Sequence, residues 1–177
     1  TKTPFRLYNF KKPFYSKDAR DSAAMALDYF AKEFRITSPK NGEPANEIKT
    51  SLCGNHVFYQ QAYNNSYISN AWIRVDVDHE ERVFNIANSF LPEDLITSCF
   101  DRKLVSKISE KQAETLLIEK FGELFNLEIK VTSCELVYYY RPGKGYLSWK
   151  FIIYSNKPRR EWKVYLDANN GHCISIV

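Results

Sequence analysis

The side chains best suited to chemistry in this sequence are three histidines, four cysteines and two closely spaced aspartates. His172 and Cys173 are adjacent, and imidazole and thiolate both ligate zinc. Neighbouring strand residues point to opposite faces, so joint ligation of a partner's zinc would be awkward. The plainer reading is one buried thiol beside one surface imidazole. His56 falls at the start of a strand pattern and His79 in a turn. Asp76 and Asp78 share a face of an alternating segment, with Glu80 and Glu81 close by. Such a pair could work as acid and base or hold a cation, or be the wet face of a sheet. Cys53, Cys99, Cys134 and Cys173 are widely spaced with no CxxC, against a local zinc knuckle. An oxidising compartment would allow two disulfides in any of three pairings, and a reducing one would leave ordinary thiols. Tyr138, Tyr139 and Tyr140 with Trp149 suit a stacking platform, or the core and rim of a sheet. HExxH, GxSxG, P-loop and GxGxxG are all missing, so no catalytic, metal or cofactor residue is assigned and the chain reads as a non-enzyme.

Two surface features carry modification chemistry. Asn64-Asn65-Ser66 is a glycosylation sequon at an expected hairpin tip, which makes Asn64 a candidate acceptor in a eukaryotic secretory route. Pro158-Arg159-Arg160 is a dibasic turn, so Arg159 and Arg160 are a candidate protease site or a plain hairpin turn.

The elements that must position these residues follow from periodicity. Residues 1–15 read as an extended lead-in. Ser16 or Asp18 caps a helix whose Ala23, Leu27, Phe30 and Phe34 form one stripe, ended by the run Thr37 to Gly42. Val57 to Tyr63, Tyr67 to Asp78 and Val83 to Phe90 read as strands, the second alternating cleanly. Residues 91–107 form a connection. Ser109-Glu110-Lys111-Gln112 is a capping box that opens a second helix, with Gly122 as its stop. Strands then follow from Ile129 to Tyr140, Leu147 to Ile153 and Trp162 to Leu166, with a short one over Cys173 to Val177 after the Asn169-Asn170-Gly171 turn. Ala23 and Leu27 have counterparts in Ala113 and Leu117, and Val75 to Asp78 in Val164 to Asp167, about 90 residues on. The expected fold class is therefore α+β, two similar modules (16–90 and 108–177), each a helix packed on an antiparallel β-meander.

Composition sets further bounds. Hydrophobic residues at 44% and charged residues at 26% indicate a globular chain. The formal charge of +4 is spread through mixed-sign sequence without a basic stripe, so no nucleic-acid partner is expected. No apolar run is long enough to span a bilayer and no signal-peptide core is seen; Thr1-Lys2-Thr3-Pro4 reads as a mature or trimmed start.

The stretch Gly54 to Tyr63, followed by Ile73 to Asp78 and Val83 to Phe90, resembles the fungalysin/thermolysin propeptide (FTP) domain. The second half resembles a PepSY domain, through Ile108 to Ala113, Glu135 to Tyr139, Leu147 to Lys150 and Val164 to Gly171. The resemblance covers residues 20–177. It departs at Asn170, where the family's Asp-Ala-x-Thr-Gly close carries Thr.

The resemblance implies a non-catalytic prodomain, an intramolecular chaperone and inhibitor of a secreted thermolysin/fungalysin-like zinc metallopeptidase, acting in cis or in trans. A segment that binds the folded peptidase stabilises it, and one that fills the cleft excludes substrate. The same resemblance implies that Gly171, His172, Cys173, Ile174, Ser175, Ile176 and Val177 lie nearest the partner, and that the protein is secreted or at the cell surface. The alternative is a free-standing secreted or cell-surface PepSY-type protein-binding module. An enzyme of unrecognised type would need a convergent set of polar residues, which the sequence does not display.

Overall fold

A computed structural model describes residues 6–8, 10, 13–36, 47–100, 105–125, 129–156 and 159–177. The chain divides into two compact units, Thr1–Ser98 and Cys99–Val177.

In the first unit, α1 (Ala19–Phe34) is capped by Asp18, whose side chain accepts from the Asp21 amide. It stops at Arg35, which is left-handed (φ 57°) and donates back to the Ala31 and Lys32 carbonyls. The expected stop at Thr37 to Gly42 lies outside the described residues. Five antiparallel strands lie in the order β1 (Arg6–Tyr8), β5 (Val83–Asn88), β4 (Ser66–Val77), β3 (Gly54–Tyr63) and β2 (Glu47–Ser51). Ala23, Ala26, Leu27 and Phe34 of α1 bury against Val57, Tyr59, Ile73, Val75, Val77 and Ile86 of the sheet. Asn64 and Asn65 both have positive φ (48° and 63°), which gives the two-residue turn that matches strand twist.

In the second unit, β6 (Ile129–Arg141), β7 (Lys144–Asn156), β8 (Arg159–Asp167) and β9 (Cys173–Ile176) form an antiparallel meander. The short helix α2 (Glu93–Cys99) falls at the end of the first unit, and α3 of the second runs Glu110–Phe125. The Ser109 amide donates to Gln112 Oε1 (2.8 Å) and the Gln112 amide to Ser109 Oγ (3.3 Å), the reciprocal capping box. α3 continues through Gly122, which keeps a helical φ instead of stopping the helix. Ala113, Leu117 and Phe121 bury against Phe151, Ile153, Val164 and Leu166.

These observations correct the expected fold class. Strands take up about half of the described residues and helices about a quarter, so the protein is mostly β and not α+β with two similar helix-on-meander modules. The units differ: the first adds β1 beside β5, and its β2 is exposed along its whole length. The physical reason is strand residues beyond the expected ones: β3, β7 and β8 reach past their expected ends, to Gly54–Tyr63, Lys144–Asn156 and Arg159–Asp167, and β1 and β2 are added. Periodicity missed β1 and β2 because Arg6–Tyr8 is only three residues long and Glu47–Ser51 is largely polar, with no apolar alternation to detect.

Candidate functional site

One face of β4 carries Val75 and Val77 into the core, and the other carries Arg74 and Asp76. Asp76 stands directly opposite His56 on β3 and Asn85 on β5. Its carboxylate is only 6% exposed and is held from three sides. His56 Nδ1 lies 2.7 Å from Oδ1, Asn85 Nδ2 donates to Oδ2 at 2.6 Å, and the Arg74 guanidinium reaches both oxygens at 2.9 and 3.2 Å. Arg6 Nε donates to Asn85 Oδ1 at 2.7 Å, extending the network to β1. A buried carboxylate is tolerated only when paired and hydrogen-bonded in this way.

The other ring nitrogen of His56, Nε2, lies 2.8 Å from Ser51 Oγ. A carboxylate can only accept, so Nδ1 carries the imidazole proton, and in the neutral ring Nε2 accepts from the Ser51 hydroxyl. Ser51 Oγ also accepts from the Cys53 amide at 3.2 Å. Ser51 is fixed by the β2–β3 hairpin, in which it pairs with Gly54 across Leu52 and Cys53. Gly54 has φ 130°, and a Cβ there would lie 2.1 Å from the Val77 carbonyl oxygen, so only glycine lets the hairpin close onto β4. His79 Nε2 meets the Leu52 carbonyl at 3.0 Å. Ser51, His56 and Asp76 thus form a serine–imidazole–carboxylate relay, the arrangement that makes a hydroxyl nucleophilic.

The two aspartates do not act together. Asp78 Oδ1 accepts from the Glu80 and Arg82 amides at 2.9 Å each, and Oδ2 from Arg82 Nε at 2.9 Å. Burial alone would raise the Asp78 pKa, but these bonds and the Arg82 charge hold it below the usual carboxylate value.

At the far end of the chain, Gly171 has φ 68° in the turn before β9, and its carbonyl accepts from Lys120 Nζ at 3.0 Å. His172, Cys173, Ile176 and Val177 are exposed, Ser175 is half-buried and Ile174 is buried. The expected buried thiol at Cys173 is therefore an exposed residue. Desolvation still raises its pKa, against the opposing pull of Lys120 and Arg141. Cys134 is pushed up to about 12, first by burial and then by Glu110, Glu114 and Glu135. No disulfide joins the four cysteines, and no group of three or more metal-binding side chains forms among the described residues.

Among the described residues, β9 pairs with β8 alone. Val177 exchanges both backbone bonds with Lys163, so the N–H and C=O of Ile176 point to the open side. Arg159 and Arg160 are the first residues of β8 and not of a turn: Arg159 Nε donates to Tyr154 Oη, and the Arg160 guanidinium lies 4.1 Å from the Trp162 ring. The aromatic residues meet different partners: Tyr138 meets Phe100 edge to face, Tyr139 lies tilted against Tyr165 and donates to Ser175, and Trp149 packs against the α3 core. No helix of the described residues is long and apolar enough to cross a membrane.

The sequence picked out His56 and Asp76 singly but missed Ser51, Arg74, Asn85 and Arg6 as their partners. The available signal was the two-residue spacing between Ser51 and Gly54, which is that of a tight hairpin.

No family model matches the chain. No curated protein sequence matches it. Among solved structures, the Bacillus megaterium YpeB C-terminal domain is similar, with a TM-score of 0.53 and 15% identity over 98% of this chain and 71% of that one. At that identity the likeness concerns the fold alone.

Proposed function

We propose that the chain is the non-catalytic prodomain of a secreted, thermolysin/fungalysin-like zinc metallopeptidase, assisting its folding and inhibiting it in cis or in trans. The observation that carries this reading is the outer edge of β9, where the N–H and C=O of Ile176 point away from β8 and meet no partner strand among the described residues. An exposed edge takes up a partner chain as an added strand, and main-chain hydrogen bonds supply the affinity. An extended segment held there can be presented to a peptidase cleft, which also binds its substrates extended. The order of FTP-like and PepSY-like segments names the partner's class.

The test is inhibition of a thermolysin-type peptidase by the chain at micromolar concentration. Inhibition is expected, and Ile176→Pro should weaken it about tenfold, a loss of about 1.4 kcal/mol. Proline there removes the outward N–H and leaves the Val177–Lys163 bonds to β8 intact. Full peptidase activity at micromolar chain overturns the reading. The same edge suits a free-standing module that holds another extended protein at the cell surface. Binding of strand peptides without peptidase inhibition would identify that module.

A further inference from the structure

We propose that Ser51 is a nucleophilic acceptor site for activated acyl groups, driven by His56 as base and oriented by Asp76. This goes beyond the binding reading and does not rest on it. An acceptor is consumed as it reacts, so a domain whose task is binding can carry one.

Three features support the assignment. The first is the chain of short contacts: Ser51 Oγ to His56 Nε2 at 2.8 Å, and His56 Nδ1 to Asp76 Oδ1 at 2.7 Å. These are hydrogen-bond distances at which a base can take the hydroxyl proton. The second is the setting of the carboxylate. Asn85 and Arg74 both donate to Asp76 Oδ2, which leaves Oδ1 to His56 Nδ1 and to the Arg74 charge and locks the imidazole in the tautomer whose free nitrogen faces Ser51. The third is access. Ser51 and Cys53 are exposed and Leu52 is 99% exposed, so the reacting oxygen lies at an open hairpin tip. An open tip selects by reactivity and not by shape, which points to small activated esters rather than peptides.

The step balances as an acyl transfer. Ser51 Oγ attacks the ester carbonyl carbon as its proton passes to His56 Nε2. The bond from that carbon to the leaving oxygen then breaks, the His56 proton goes to the departing alcohol or phenol, and an ester on Ser51 remains. The Cys53 amide, already 3.2 Å from Oγ, stays beside the reacting atoms throughout.

The probe is p-nitrophenyl acetate, incubated with the full chain near neutral pH and read by peptide mass mapping. Ser51 should be acetylated ahead of Ser98 and Ser109, exposed hydroxyls that bond the Leu95 carbonyl and Gln112 in place of an imidazole. His56→Ala should slow acetylation of Ser51 about 100-fold or more, the usual contribution of a general base. Circular dichroism checks that the variant is folded. Equal acetylation of Ser51, Ser98 and Ser109 in the parent chain overturns the proposal, as does an undiminished rate in folded His56→Ala. Where His56→Ala does not fold, the contrast among the three serines in the parent decides alone. A negative result leaves peptidase inhibition untouched.

Discussion

Asp78 shows how much one carboxylate contributes at the residue scale. Its two oxygens close the β4–β5 turn by accepting from the Glu80 amide, the Arg82 amide and the Arg82 side chain. Glu81, with φ 60°, is held in the left-handed region inside that turn. Because the folded-state pKa is depressed, the associated stability is present above the ordinary carboxylate value and is lost as pH falls through the folded value. Asp78→Asn should therefore lower Tm by about 2–4 °C at pH 6, and the gap to the parent should close on acidification below about pH 4. Thermal melts of both chains across that range check it; a gap independent of pH would show that the charge is irrelevant. Asp76 and Asp78 look equivalent in sequence, two residues apart on one alternating face. Cross-strand partners separate them, since Asp76 meets His56 and Asn85 while Asp78 meets its own turn.

At the scale of elements, the β3–β4 hairpin explains why the relay was illegible in sequence. Counting back from the Asn64-Asn65 turn, Ala62 lies opposite Tyr67, but Gln60 lies opposite Trp72. Only Gln61 stands in β3 against Ile68 to Ala71 in β4, a surplus that no local pattern announces. A regular hairpin would have set His56 across from Ile73, and the relay would not exist. Gln60 holds the irregularity by donating to the Ile68 and Ala71 carbonyls at 2.5 and 2.7 Å. Gln61 exchanges two bonds with the Leu91 backbone, Nε2 to O and N to Oε1, both 2.8 Å. Gln60→Ala leaves two carbonyls without their donor and should cost about 1–3 kcal/mol, read by urea unfolding. A change below a few tenths would mean that other donors serve them. The helices were easier to read, because Asp18, the Ser109–Gln112 box and the apolar stripes act within a turn or two of sequence. Gly122 misled because a glycine permits a stop without requiring one.

For the molecule as a whole, the two units each own a core, and strand pairing within each sets a gradient of protection. β4 is bonded on both sides by β3 and β5, and β7 by β6 and β8, while β2 and β9 pair on one side within their units. Amide hydrogen exchange should be slowest, by about 100-fold or more, in the centres of β4 and β7 and fastest along β2. Equal protection of β2 and β4 would contradict the pairing. Part of the mostly-β character was hidden for a related reason: β1 and β2, at the margins of their sheet, show no apolar alternation, whereas the outer strand β9 was marked by the Asn169-Asn170-Gly171 turn before it. The same gradient places the relay between a dynamic and a rigid element, with Ser51 on the outer hairpin and Asp76 on the central strand.

The surplus in β4 also acts as slack. A hairpin without it transmits every insertion or deletion near its tip straight down both strands, exchanging inner for outer faces one residue at a time. Here the length of chain at the tip and the pairing of the lower strands are uncoupled. Ser69 and Asn70 could be removed, shortening the surplus, while Gly54 to Tyr59 kept their present cross-strand partners. The hairpin tip, which carries the candidate acceptor Asn64, can thus change in length without shifting the pairing below it.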